Sequence, residues 1–385
     1  MAGLFDVAVI GAGPVGAVLA LALAETDLDV LVVDAREPAG AGRGERTLAV
    51  SHGARLILER VGVWGELAAR DGALTPIVTI DISQAGAFGV ATLSASDLGL
   101  PALGYVLRSR DLQDALDAAL QRTRCTIAFG AAIDRVETTR EYAAAIPATG
   151  DPWLARLAVI ADGSGARVRD MQRYRHDYRQ RALVAKVWCR SGHDGLAYER
   201  FSPSGPVALL PEQDHYALVW TGSPERVDAL IALPDDAFLA ALREHCAPRR
   251  TDFVRVGERR SFPLVLEAAA RVVAPRIALI GNAAQALHPV AAQGLNLGLR
   301  DAHALARTIF DTPRDAIGSD AMLARYAALR RVDRLAGVAF THGLLTVFGS
   351  DSPWLSWPRG LALATLDALQ VPKRLFTRAM LYGLR

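Results

Sequence analysis

Hydrophobic positions along the chain follow two patterns. Residues 6–10 (Asp6-Val7-Ala8-Val9-Ile10) and 30–33 (Val30-Leu31-Val32-Val33) are short, unbroken apolar runs, and residues 158–160 and 277–280 repeat the pattern. Such runs predict short buried strands. Between the first two lies the apolar stretch 17–25, which reads as a helix packed all round. Elsewhere the period changes. Leu112, Ala115, Leu116, Ala119 and Leu120, after Ser109-Arg110-Asp111, have helical spacing. Residues 182–188, 197–201, 207–210 and 216–220 read as strands, with a helix at about 235–246. Residues 77–82 and 90–93 read as a sheet excursion, and residues 125–160 as further strands. The basic stretch 173–181 reads as a solvated connector. From Ala302 onward the pattern is helical, with a break near 352–358 where Trp and Pro residues cluster.

The junctions between these elements carry the chemistry. The first strand runs into Gly11-Ala12-Gly13-Pro14-Val15-Gly16, then the helix, the second strand and Asp34. Strand, G-x-G-x-x-G, helix, strand and acid together form a dinucleotide-binding unit. Gly11 makes the tight turn, Gly13 admits a pyrophosphate to the backbone and Gly16 lets helix and strand pack closely; Asp34 is placed for a ribose hydroxyl. A second junction follows 277–280: Gly281-Asn282, a run of small residues, His288-Pro289, and Gln293-Gly294-Leu295-Asn296 opening a helix. A helix N-terminus offers unpaired N–H groups and a positive dipole end to a bulky, electron-rich group.

The apolar run from Val7 to Ala24 approaches the length of a membrane span, but Gly11, Gly13 and Pro14 suit a turn and not a spanning helix, and no basic segment marks a signal peptide. With 51% hydrophobic and 22% charged residues in 385, the chain reads as globular with a large core. A formal charge of +2 without a long basic run argues against a nucleic-acid partner. Cys125, Cys189 and Cys246 lack the spacing of a disulfide framework or a metal site.

Three motifs in order, the glycine-rich turn with Asp34, Asp162-Gly163, and Gly281-Asn282 with Pro289 and Gln293-Gly294-Leu295-Asn296, resemble the FAD-dependent aromatic hydroxylases of the single-component, NAD(P)H-using kind. Within them, Arg46-Thr47-Leu48-Ala49-Val50-Ser51, residues 205–211, Val219-Trp220 and Asn282 are similar to the ubiquinone-biosynthesis hydroxylases. The local pattern in 80–93 and 198–211 is most like the enzymes acting on 2-polyprenyl-6-methoxyphenol. The resemblance implies an α/β fold: a Rossmann-like FAD-binding domain of the GR2 type with an inserted β-sheet substrate domain and a helical C-terminus. The implied division assigns 1–75, 106–170 and 271–345 to the FAD domain, 76–105 and 171–270 to the substrate domain and 346–385 to the C-terminal region. It implies that Gly11, Gly13, Pro14, Val15, Gly16 and Asp34 hold the ADP half of FAD, and that Arg46, Arg110, Asp162 and Gly163 lie near the cofactor. Gly281 and Asn282 are implied at its pyrophosphate and ribityl chain, with Pro289, Gln293, Gly294, Leu295 and Asn296 over the flavin ring. Two features depart from the family. The Ser that usually follows Asp-Gly is missing, and 131–157 does not read like the usual strand pair.

The reaction implied is hydroxylation of a polyprenyl phenol by O2, with NAD(P)H as transient reductant and a flavin C4a-hydroperoxide as oxygen donor. The flavin carries the hard chemistry, so no Ser–His–Asp constellation is required and no protein general base is expected to be essential, His52, His215 and His288 included. His288, before Pro289, suits packing better than proton transfer. Leu209, Pro211 and Trp220 alternate on strands and form one candidate substrate wall, ordinary core being the equal alternative. Trp354, Leu355, Trp357, Lys373, Arg374 and Arg378 are candidates for a membrane surface or a quinone-biosynthesis complex, on a cytoplasmic protein. An FAD hydroxylase of another aromatic, and a non-catalytic FAD-bound subunit of a quinone-biosynthesis complex, stay open as alternatives.

Overall fold

The computed structural model describes residues 3–37, 46–86, 88–163, 167–168, 171–246, 252–287, 293–348 and 353–384. The unbroken apolar runs form the parallel centre of the first sheet. Phe5–Ile10 lies between Val30–Asp34 and Trp153–Ile160, with Thr126–Phe129 beyond the second strand and Ile277–Leu279 beside the fourth, all parallel. Their central residues, such as Val7, Val9, Val32 and Val159, are fully buried in the core where helix Pro14–Ala24 packs on the sheet and helices Ser109–Gln121 and Gln293–Phe310 pack against that helix. The Ala-rich stretch near 143–148 forms an antiparallel hairpin, Ile133–Thr138 with Ala143–Pro147, on the edge of this sheet.

A second, largely antiparallel sheet holds Arg173–Cys189, Leu196–Phe201, Val207–Glu212, His215–Gly222 and Arg260–Ala269. Thr79–Gln84 and Val90–Ser94 extend it, the former parallel to Leu196–Phe201. Helices Pro224–Ala232 and Asp235–Cys246 cover one face; the first of these has no counterpart in the sequence reading. A small sheet of Thr47–Ser51, Gly104–Arg108 and Thr75–Ile77 joins the two halves.

Two expectations change here. The basic stretch 173–181 is not a connector but the first half of a long strand paired with Arg260–Ala269 and bulged between Asp177 and Gln180. Tyr174, His176 and Tyr178 alternate with its charged residues, and that period of two outweighs its polarity. The break expected near 352–358 is placed earlier: helix Asp320–Phe348 has ended and Pro353–Ala368 has begun before Pro358, which lies inside the second helix.

Helices Gln293–Phe310 and Asp320–Phe348 are joined by a buried ionic network. Asp301, fully buried, accepts from the Gly281 N–H at 3.2 Å, Gln285 Nε2 at 2.7 Å and Arg330 Nε at 2.7 Å. Asp333 accepts from Arg300 Nε at 2.8 Å and from the Leu384 N–H at 3.2 Å, and pairs with Arg330 at 2.7 Å. Removing one partner of such a pair strands the other charge in the interior, a loss of about 3–5 kcal/mol. Burial alone would raise the Asp333 carboxyl, but Arg300 and Arg330 outweigh it and hold the group below its ordinary value. A carboxyl held low stabilises the fold above its unfolded pKa, and that contribution is lost as pH falls through the lower native value. Denaturation followed from pH 7 downward therefore shows stability dropping below about pH 4, and Asp333→Asn, less stable at pH 7, shows a shallower drop.

Candidate active site

Two cavities share one partition. The first, about 760 Å³, is a cleft over the C-terminal ends of the parallel strands, lined by both glycine-rich turns and by Asp34, Arg36, Arg46, Asp162 and Gly163. Strand-end clefts of doubly wound sheets are where such folds bind ligands. The second, about 290 Å³, is lined almost wholly by apolar side chains from the second sheet, from Thr47–Ser51 and from the C-terminal helices. In the first turn of helix Gln293–Phe310, Gly294 and Leu295 face the cleft while Gln293 and Asn296 face the apolar cavity. Strand Thr47–Ser51 is shared likewise, Leu48 lining the cleft and Ala49, Val50 and Ser51 the cavity. Asn296 ties the two elements together. Its Oδ1 accepts from the Ser51 N–H at 2.8 Å and its Nδ2 donates to the Ala49 carbonyl at 3.1 Å.

The backbone of the cleft fits a dinucleotide. Gly11 has φ +104°, and a Cβ on it would stand 2.6 Å from Asp162 Cα; a Cβ on Gly16 would stand 1.9 Å from the Gly11 carbonyl oxygen. Around Gly13, by contrast, nothing lies within 4 Å of the Cβ position, and around Gly294 nothing either, so both border open space. Helix Pro14–Ala24 starts with Pro14 after a Gly13 cap that has no side chain, which leaves its first N–H groups to a ligand. Gly281 and Gly298 pack against Val15, bringing the second turn and the third helix onto the first.

Other expected residues are placed differently. Arg110 points to solvent on the helix that Ser109 begins, near Asp114, and does not line the cleft; Ser109 does, one helical step away. Asp34 is buried and its carboxylate is already engaged, by the Ala12 N–H at 2.6 Å, the Arg36 N–H at 2.8 Å and the Arg36 guanidinium at 2.9 and 3.1 Å. Arg36 therefore stands at the cleft beside Asp34, a residue the sequence reading passed over although it follows the strand-end acid by two positions. Gln113 supports the same turn from behind, donating to the Ala12 carbonyl at 2.8 Å. Pro289 and His288 lie outside the described residues.

The expected substrate wall falls on the wrong face of its strands. Leu209 and Trp220 are buried in the core beneath helices Pro224–Ala232 and Asp235–Cys246, and Pro211 lines neither cavity, whereas Leu210 faces the apolar cavity. A strand alternates its faces, so a one-residue difference inverts the assignment. The cavity's other side is formed by Phe340, Leu344 and Phe348, and by Leu363, Leu366, Phe376 and Met380. Their helical spacing is visible in the sequence, but not the partner that spacing faces.

His52 and His215 line neither cavity. His52 sits edge-on to Tyr382, and burial, with Arg55 nearby, lowers its pKa. His215 Nε2 lies 3.3 Å from buried Glu212, which also accepts from Thr47 Oγ1 at 2.8 Å. Burial would raise the Glu212 carboxyl, but His215 and Thr47 hold it below its ordinary value, so this contact welds the strand beside the cleft to the second sheet.

Two glycine turns facing one cleft suit a ligand with a pyrophosphate at its middle and rings at its ends, and the class so defined is that of the dinucleotide-binding flavoproteins. Residues 5–336 match the FAD binding domain family, and the chain belongs to that family, the FAD-dependent aromatic hydroxylases, with FAD as cofactor. It is 34% identical to the ubiquinone hydroxylase UbiL of Rhodospirillum rubrum over 97% of this chain and 88% of that one. It is 30% identical to the 3-demethoxyubiquinol 3-hydroxylase of Escherichia coli K12 over 98% of each. Among solved structures, p-nitrophenol 4-monooxygenase PnpA of Pseudomonas putida DLL-E4 shares the fold, with TM-score 0.78 and 19% identity over 100% of both chains.

The glycine geometry separates two outcomes. Gly13→Leu projects into open space and should yield a folded protein that purifies without flavin absorbance. Gly16→Leu meets backbone and should lose stability as well, by about 1–3 kcal/mol or more on thermal denaturation. A Gly13→Leu protein that retains yellow colour contradicts the placing of a pyrophosphate there.

Proposed function

We propose that this protein is an FAD-dependent monooxygenase that hydroxylates the aromatic ring of a polyprenylated phenol in ubiquinone biosynthesis, using NAD(P)H and O2. The observation that carries this reading is the apolar cavity beside the cofactor cleft, with the first turn of helix Gln293–Phe310 and strand Thr47–Ser51 lining both. Bound FAD supplies the reducing and oxygen-activating chemistry; the chain supplies binding, orientation and exclusion of water. In this reading Gly11, Gly13 and Gly16 admit the pyrophosphate, with Arg36 and Arg46 as nearby cations. Asp162, Gly163, Gly281 and Asn282 flank the ribityl chain, and Asn282 is braced by Arg173, which donates to its carbonyl at 3.3 Å and to that of Ala283 at 2.8 Å. Gly294 and Leu295 bring the helix N-terminus to the flavin ring, where its N–H groups and dipole stabilise negative charge. The names of the relatives, UbiL and the 3-demethoxyubiquinol enzyme, support a quinone precursor as substrate.

Deleting the gene should make one polyprenyl phenol accumulate, and mass spectrometry of that intermediate reads out the ring position. Wild-type protein should restore ubiquinone and Gly294→Trp, which fills the cleft, should not. An unchanged quinone pool in the deletion points to another aromatic substrate, and full rescue by Gly294→Trp to a subunit without turnover.

We further propose that the C-terminal helices rest on a lipid surface from which such a substrate comes. Trp354 and Trp357 are 89% and 72% exposed on one face of helix Pro353–Ala368, continued by Leu361 and flanked by exposed Phe88, while Leu363 and Leu366 of the same helix line the cavity. Exposed Val371 and Leu375 follow on Gln370–Tyr382, with Arg374 and Arg378 exposed beside them. Lys373, expected among the surface cations, is instead buried against Asp367 at 2.9 Å. Indole rings and basic side chains on an amphipathic helix suit an anionic interface. No helix among the described residues is long and apolar enough to cross a membrane. Trp354→Ser with Trp357→Ser should lower co-sedimentation with anionic phospholipid vesicles at least about fivefold; undiminished binding argues against this face.

A further inference from the structure

A phenol held in an apolar cavity needs a hydrogen-bonding partner for its ring hydroxyl, because burying that group unpaired is costly. Among the described residues on the cavity wall, six side chains are polar: Ser51, Tyr198, Glu199, Gln293, Asn296 and Thr377. Five of them are engaged by the fold itself. Ser51 Oγ donates to the Leu381 carbonyl at 2.8 Å and accepts from the Ala54 N–H at 3.2 Å. The Asn296 amide clamps strand Thr47–Ser51, and the Thr377 hydroxyl donates to the Lys373 carbonyl at 2.8 Å. Tyr198 and Glu199 have partners of their own. Gln293 remains: it is half-buried, and its amide has no hydrogen-bond partner among the described residues. Unlike Glu199 Oε1, neither polar atom of this amide is shut off from solvent.

Its place in the fold decides which end of the cavity it serves. Gln293 opens helix Gln293–Phe310, three residues before Asn296 and so on the same face, while Gly294 and Leu295 between them line the cofactor cleft. Gln293 therefore stands at the end of the cavity that adjoins the cleft. We infer that the Gln293 side-chain amide binds the ring hydroxyl of the phenol and so fixes which ring carbon is presented to the cofactor. This rests on the monooxygenase reading above. An amide offers one acceptor oxygen and two N–H donors, so it pairs with the hydroxyl through its proton or its oxygen. It carries no charge, and avoids the desolvation that an ionised group would suffer against these apolar walls. It takes no proton either, in keeping with a reaction whose hard chemistry is the cofactor's. A ring held at its hydroxyl turns one carbon, at a fixed distance from that anchor, toward the incoming oxygen. The resemblance placed Gln293 over the flavin ring; the cavity gives it the substrate instead.

The experiment compares FAD-loaded wild type and Gln293→Leu, with a short-chain prenyl phenol and the same molecule lacking its ring hydroxyl as probes. Wild type should bind the phenol at least about tenfold more tightly than the hydroxyl-free analogue, and Gln293→Leu should bind the two within about threefold of each other. A residue that only supported the helix would weaken both ligands alike and leave the preference intact. Product formed per NAD(P)H oxidised should fall at least about fivefold in Gln293→Leu, the balance appearing as hydrogen peroxide. If Gln293→Leu does not hold FAD, Gln293→Asn, which withdraws the same amide by one methylene, should show the same loss of preference. Wild type that hydroxylates the phenol yet binds the analogue as tightly, or a variant that keeps the full preference, overturns the role of Gln293 alone. Wild-type protein that hydroxylates no prenyl phenol overturns the underlying function and this role with it.

Discussion

For one helix end to wall off two cavities at once, helix Gln293–Phe310 must lie against the turn at Gly281 and against strand Thr47–Ser51 simultaneously. The first contact is fixed by Asp301, whose carboxylate takes the Gly281 N–H, and by Gly298, which lets the backbones approach. The second is fixed by Asn296, whose side-chain amide replaces a strand partner for Ser51 and Ala49. Both are buried polar groups whose hydrogen bonds are made only in this arrangement, and loss of such bonds leaves donors and acceptors stranded at about 1–3 kcal/mol each. The position of the helix N-terminus between the cavities follows from that constraint.

The ionic network behind Asp301 extends it across the chain. Arg330 bridges Asp301 and Asp333, Arg334 donates to Gln285 at 2.8 Å, and Tyr326 donates to the Leu279 carbonyl at 3.1 Å. These contacts lock helix Asp320–Phe348 to the end of the strand that feeds the second glycine turn. The same helix then continues far enough to place Phe340, Leu344 and Phe348 against the apolar cavity. Buried ion pairs add little net stability compared with apolar packing, but they specify one register of helix against helix. Here that register sets the distance between cofactor cleft and apolar cavity.

The apolar cavity is assembled from segments far apart in the chain: the linking strand near 50, the excursion strands near 80 and 93, the sheet near 200, and the C-terminal helices. The cofactor cleft, by contrast, is built on the regular parallel strands and the turns at their ends. It also puts the cavity directly behind the helix that carries exposed Trp354 and Trp357, so the outer face of the protein and the wall of the cavity are two sides of one element.

Much of the cofactor half was legible in the amino-acid sequence. Unbroken apolar runs specify strands buried on both faces, and the glycines after them are required by backbone geometry, which acts over a few neighbouring residues. That is why the turns at Gly11–Gly16 and Gly281, and the helix opening at Gln293, could be read from local pattern and family resemblance. What local pattern could not decide was which face of a strand or helix meets which partner. Leu209, Trp220 and the neighbouring Leu210 are equally apolar, and only the docking of helices Pro224–Ala232 and Asp235–Cys246 onto one face made the first two core and Leu210 cavity wall. Arg110 and Ser109 differ by one helical step, and only the packing of that helix turned Ser109 inward. Sequence alone determined the elements and the turns that hold a dinucleotide, because those depend on neighbours along the chain. The tertiary structure decided the apolar cavity and its partition from the cleft, because those depend on contacts between residues hundreds of positions apart.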